Sequence, residues 1–329
     1  MAAVRISPAT VRWLKTAAGI LLSAGCLVYM SKRLAIGWGD ARATIEHGNR
    51  TFLVVSFLVS LAALFPPVLV WRRLLRSLYG DSVSIRIAFV VLIILNAAKY
   101  LPGKLWFVGV IALLANQFKM SKEHFLVAAV LSQFLQFAMA GLLAVLLARG
   151  ETTPAQIALV ILLLGFGLAL VHRGPLHDAA AALLRRLRVS WSIPVLPFSE
   201  TLVCLGLQAL TWLGYGLGLY VMIRALAPAL PWAALPRIVG GYALSYLIGY
   251  ASLLAPAGLG VREGALALVL PHDLTPAVRG TAVLGYRICS TLAEVAYTIV
   301  GIVLYLVSRR GAGAPTHFDK SARPPRVNG

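Results

Sequence analysis

The chain has 329 residues, of which 60% are apolar and only 12% charged, with a net charge of +19. Its mean hydropathy is +0.84. The charged share is about half that of a soluble globular domain. A soluble core of this size cannot hide so much apolar surface, so the surplus must face lipid, and the composition reads as a polytopic all-α membrane protein. Disordered, collagen-like and disulfide-scaffold classes are excluded, and no nucleic-acid partner is expected. The basic residues are dispersed in short segments between apolar runs, where membrane orientation explains them. Cys26, Cys204 and Cys289 lie inside apolar stretches without metal-ligand spacing.

In chain order, Arg5, Arg12 and Lys15 precede apolar Ala17 to Met30, as in a signal peptide. Ser23-Ala24-Gly25-Cys26 has a faint look of a lipoprotein box. Apolar character continues past Cys26, so the segment reads as an uncleaved first span. Six full spans are expected, at 16–31, 52–71, 125–148, 155–172, 200–223 and 279–307. Segments 87–118 and 238–270 differ. Each is an apolar run broken by a turn, Leu101-Pro102-Gly103-Lys104 in one and Ala255-Pro256-Ala257-Gly258-Leu259-Gly260 in the other. Residues 87–101 extend about 22 Å as a helix, short of a core of about 30 Å. Both segments therefore read as re-entrant helical hairpins.

With the N-terminus inside, the inside loops 1–15, 72–86, 119–124, 172–199 and 308–329 carry +14. The outside loops 32–50, 149–154, 224–237 and 271–278 carry +3. Lys/Arg excess marks the cytoplasmic side. The expected arrangement thus has both termini cytoplasmic, the first hairpin entering from the cytoplasm and the second from the opposite face. Residues 174–189 read as a basic amphipathic surface helix. The tail 311–329 reads as disordered.

A shift of 154 residues pairs Pro102 with Pro256, Gly103 with Ala257, Ser121 with Thr275, Ala128 with Ala282 and Gln133 with Arg287. The chain then divides into membrane repeats 1–150 and 151–310, each span, span, hairpin, span. Three spans per half invert the second half. Inverted repeats with broken helices are a recurring transporter architecture.

Pro/Gly turns at membrane depth are tolerated only where buried in protein or lining a polar cavity. Each turn here also opens a new helix, whose N–H groups and dipole favour an anion. Lys99 and Lys104 flank the first turn, and Arg262 and Glu263 follow the second. Intramembrane charge is costly and marks function or pairing. Arg287 and Glu294, seven apart, share a helix face. The spacing leaves two pairings open, Arg287 with Glu263 or Glu294 with Arg262. Gln133 and Gln136 read as helix–helix hydrogen-bonding groups. Gly241, Ser245 and Gly249 form a small-residue stripe beside Tyr242, Tyr246 and Tyr250, which read as packed aromatic core. There is no P-loop and no HExxH. His172 and His177 lack further ligands, so neither a metal nor a cofactor is expected, nor an enzymatic activity.

Lys99-Tyr100-Leu101-Pro102-Gly103-Lys104-Leu105-Trp106 and Pro256-Ala257-Gly258-Leu259-Gly260-Val261-Arg262-Glu263-Gly264 give the chain a family likeness. It resembles the flippase-like transmembrane region of lysylphosphatidylglycerol synthases over about residues 10–308. The resemblance implies movement or presentation of a lipid headgroup, an aminoacylated phospholipid or a polyprenyl-linked sugar, in cell-envelope biogenesis. It implies site roles for Pro102, Gly103, Lys104, Pro256, Gly258, Gly260, Arg262, Glu263 and Arg287. Ala257 stands where a Gly is common in the family, and Trp106 where many members have Gly. The synthase's soluble transfer domain has no counterpart here. The leading expectation is a lipid translocase. The alternative is a non-transporting subunit presenting lipid-linked intermediates to a separate glycosyl- or aminoacyl-transferase. An integral membrane transferase is the least favoured. Expected partners are a membrane lipid or lipid-linked glycan and enzymes of envelope-lipid or glycan synthesis.

Overall fold

A computed structural model describes residues 42–43, 46–98, 110–111, 114–116, 118, 120–148, 165, 172, 174–186, 195–252, 258, 260–271 and 274–311. Among these every regular element is helical. In chain order they are α1 (Arg50–Ala63), α2 (Pro66–Tyr79), α3 (Ile85–Ala98), α4 (Lys122–Leu147), α5 (Pro175–Arg186) and α6 (Phe198–Leu226). A single 3-10 turn (Trp232–Ala234) follows, then α7 (Leu235–Ala251), α8 (Val261–Val269) and α9 (Pro276–Gly311). Among the described residues four stretches are long and apolar enough to cross a membrane: Arg50–Tyr79, Lys122–Leu147, Phe198–Leu226 and Pro276–Leu304. The expected spans 16–31 and 155–172 and the tail lie largely or wholly outside the described residues.

Local signals set the helix ends. The Asn49 side chain accepts from the amides of Thr51 and Phe52 and starts α1. The Asn49 amide donates to the Ala225 carbonyl at 2.9 Å, tying that start to the end of α6. The expected span 52–71 is longer, and it is divided at Pro66-Pro67, where α2 begins. Proline lacks the amide that an unbroken helix needs there, but suits a first turn. At the other end of the bundle, Arg73 makes a two-pronged contact with Glu200, both at 3.0 Å. There also His124 Nδ1 lies 2.7 Å from Asp81 and its ring stacks on Tyr79. The starts of α4 and α6 and the end of α2 therefore share one end. The start of α1 and the ends of α4 and α6 share the opposite one.

Small residues let the helices close up. Gly214 and Gly218 of α6 lie against Ala63 and Ser60 of α1, and Gly216 lies against Val239 of α7. Gly240 rests on Leu147 and Ala148 at the end of α4. Gly241 meets Val269 and Gly249 meets Arg262, so α7 and α8 run antiparallel. Nine residues give α8 a length of about 14 Å, less than half a bilayer core. The turn of the first expected hairpin, with Lys99, Pro102, Gly103 and Lys104, lies outside the described residues. Its first limb, α3, packs along α9, with Phe89 against Tyr297 and Ile93 against Gly301. Both helices advance in the same sense, the reverse of the sense expected for a limb entering where α9 leaves. Hydropathy reports burial and not direction, so sequence had no means to show it.

Candidate functional site

The last turn before α8 has Gly258 at φ +67° and Gly260 at φ +82°. Both angles lie in the region where a Cβ is strained. At Gly258 an added Cβ would also stand 2.8 Å from the Gly249 carbonyl oxygen. The glycines thus let the chain reverse tightly against α7 and deliver Arg262 and Glu263 to its flank. Pro256, within the same turn, lies outside the described residues.

Glu263 is buried, with one carboxylate oxygen hydrogen-bonded and the other held in an ion pair without a hydrogen-bond partner among the described residues. Oε2 accepts from the Gly260 amide at 2.7 Å, and Oε1 lies 3.3 Å from Arg287 Nε. Of the pairings open from sequence, Glu263–Arg287 is made. The first contact also occupies one amide at the α8 N-terminus, because its own glutamate caps it at Gly260. A residue three positions into a helix reaches back this way, and the Gly260–Glu263 spacing was a readable sign of it.

Arg262 is buried with its guanidinium carbon 4.6 Å from the Tyr242 ring centre and 4.9 Å from that of Tyr246. Two electron-rich faces thus replace part of its lost hydration. The tyrosines read from sequence as core are indeed packed, yet they also clamp a charge. Gly249 makes this possible, since a Cβ there would approach Arg262 Cβ to 2.7 Å. Glu294 shares the α9 face with Arg287 and, like Glu263, acts electrostatically on Arg262. The cluster therefore joins two arginines and two glutamates with no net formal charge. Arg287 lies eleven residues into α9, about 17 Å along the helix, near the middle of its apolar stretch.

Arg287 Nη2 is buried and has no hydrogen-bond partner among the described residues. It borders a cavity of about 10 Å³ lined by Tyr242, Arg262, Glu263, Tyr286, Arg287 and Ser290, among others. That is space for one water and no more. Tyr286 anchors the wall: its hydroxyl donates to the Tyr215 carbonyl at 2.6 Å and accepts from Ser60 Oγ at 3.1 Å. Sequence reasoning missed this polar seam between α1, α6 and α9, because single serines in apolar runs carry no pattern.

Gln133 and Gln136 bond to one another along α4, at 3.3 Å. The α4–α6 bridges run instead from Gln208 Nε2 to the Ser132 carbonyl and from Trp212 Nε1 to the Gln136 carbonyl. Among the described residues no group of three or more His, Cys, Asp or Glu side chains is placed to hold a metal.

Apolar helices long enough to cross a membrane, with a buried charge cluster at mid-length, define a multi-pass membrane protein with a polar site between its helices. The family model described as the lysylphosphatidylglycerol synthase TM region matches residues 16–301. The chain belongs to that family. No curated protein matches it.

Proposed function

We propose that the chain is a lipid translocase of a bacterial inner membrane, with both termini cytoplasmic, and that the Arg262–Glu263–Arg287 cluster takes the phosphate of a phospholipid or polyprenyl-linked headgroup. The observation that carries this reading is a mid-membrane ion pair whose guanidinium keeps a buried donor, Arg287 Nη2, with no partner among the described residues. Buried charge at this depth is costly and is retained at substrate paths. In this reading α7 and α8 form a re-entrant elbow. Glu263 stands where the phosphate goes, holding both the Gly260 amide and Arg287. A phosphate that displaces Glu263 inherits a helix-terminal amide and a guanidinium, both good phosphate donors. The cavity is too small for a headgroup, so α8 must part from α9 for the lipid to enter. Movement of one inverted repeat against the other supplies that opening and the alternate exposure.

The test is leaflet exchange of fluorescent phosphatidylglycerol in reconstituted vesicles, read by dithionite quenching. The native chain accelerates exchange. Arg287→Gln lowers the rate roughly ten- to hundredfold, the worth of a charge-assisted hydrogen bond, while Leu210→Ala on the lipid face leaves it unchanged. Unchanged exchange in Arg287→Gln overturns the site. No exchange by the folded native chain overturns translocation and favours a subunit that presents lipid to a transferase.

A further inference from the structure

A second feature lies at the start of α7, toward the end of the bundle where α4 and α6 finish. Leu147 of α4, Leu213 and Leu217 of α6, and Leu235, Pro236 and Val239 of α7 line an open groove of about 310 Å³. Its walls are fixed by close backbone packing, Gly216 on Val239 and Gly240 on Leu147 and Ala148. The groove therefore has a set shape that side chains do not collapse. Its α6 wall belongs to a lipid-facing surface, with Leu210 and Leu213 both largely exposed.

Leu213, Leu217, Tyr220 and Arg224 follow one stripe of α6, at spacings of four, three and four. The stripe runs up to a distinct end. There Trp232, 62% exposed, packs on Tyr220 with ring centres 4.9 Å apart, and the Arg224 guanidinium lies 5.3 Å from the Trp232 ring centre. Arg224 donates to the Pro228 carbonyl at 3.3 Å, and no carboxylate pairs with it among the described residues. An exposed tryptophan beside an arginine at the end of an apolar helix is the pattern of a membrane–water interface. From Arg224 down to Leu213 is eleven residues, about 17 Å. That matches half of a hydrocarbon core of about 30 Å, the depth of one leaflet.

We propose that this groove is a binding site for an anionic phospholipid of the surrounding bilayer, one acyl chain lying along Leu213 and Leu217 and the phosphate resting on Arg224. Charge chooses the headgroup: a positive side chain without a carboxylate partner among the described residues favours an anionic lipid over a zwitterionic one of equal chain length. The groove gives the chain a fixed apolar wall, so the lipid is held rather than exchanged with the annulus. The site is separate from the Arg262–Glu263–Arg287 cluster and stands whether or not the chain moves lipid.

The experiment exposes detergent-purified full chain to equal phosphatidylglycerol and phosphatidylcholine of matched chains and counts retained lipids by native mass spectrometry. The native chain keeps phosphatidylglycerol in preference. Arg224→Gln lowers that preference about fivefold, the factor contributed by one interfacial arginine, while total lipid retention changes little. Leu217→Trp, which fills the groove, lowers the number of retained lipids of either kind, and Leu210→Trp on open lipid-facing surface does not. Near-UV circular dichroism of each variant establishes that it is folded. Equal retention of the two lipids by the native chain overturns the proposal. So does a folded Leu217→Trp that retains lipid as before.

Discussion

Two parts of this molecule treat charge in opposite ways. Around α2, α3 and the first half of α4, the core is Trp71, Leu74, Leu75, Phe125 and their apolar neighbours. Its ion pair Arg73–Glu200 and its polar contact His124–Asp81 stay at the rim with partly exposed side chains. Around α7, α8 and α9 the core is aromatic, with Trp212, Tyr242 and Tyr286, and the Glu263–Arg287 pair lies inside it, at 4% and 13% side-chain exposure. A rim pair is screened by water and contributes little. A buried pair carries a desolvation cost of several kcal/mol per ion that its Coulomb attraction only partly offsets. Stability therefore accounts for the first region and not the second, and this difference supports the proposal of ligand chemistry in the second.

Variants sharpen the contrast, beginning with the largest effect. Arg287→Met leaves Glu263 buried without its guanidinium and should cost about 3–5 kcal/mol, read as thermal unfolding in detergent. The double variant Glu263→Met with Arg287→Met should recover most of that loss, since replacing both buried ions with packed apolar groups is close to neutral. No recovery would make the pair a stabilising element and erase the distinction. Gly258→Ala, at φ +67° against the Gly249 carbonyl, should cost at least about 1–2 kcal/mol. Tyr246→Leu removes one face from Arg262 and should cost about 1–2 kcal/mol. At the rim, Arg73→Ala removes a pair whose arginine side chain is 45% exposed and should cost under about 1 kcal/mol. If the rim variant proves as damaging as Arg287→Met, the comparison fails.

How much of this was legible in sequence follows from what each signal reports. Hydropathy located the four described spans, because membrane crossing depends on apolar length alone. It did not show the division at Pro66-Pro67 within a run that stays apolar on both sides. The Pro/Gly break before Val261 marked the turn, since glycine at positive φ leaves a residue-level trace. Helical spacing placed Arg287 and Glu294 on one face, but it could not choose the partner of Glu263, which sits on another helix. The Tyr242–Tyr246 clamp on Arg262 was equally hidden. Packing of α8 on α7 through Gly249 creates it, and one chain's periodicity does not encode a neighbour. The first-motif residues Pro102, Gly103 and Lys104 stand as expectations of the family likeness, and Lys99 as one drawn from its place beside the turn.

The central claim is that Glu263 holds the place of a lipid phosphate. The direct measurement is the amount of phospholipid retained through purification by Glu263→Gln and by Arg287→Gln, each in a Leu217→Trp background that fills the outer groove. Freed of its carboxylate, the Arg287 guanidinium should hold more phospholipid than the parent, and loss of the guanidinium should hold less. Equal retention by the two folded variants, or a loss in Glu263→Gln, would contradict the account.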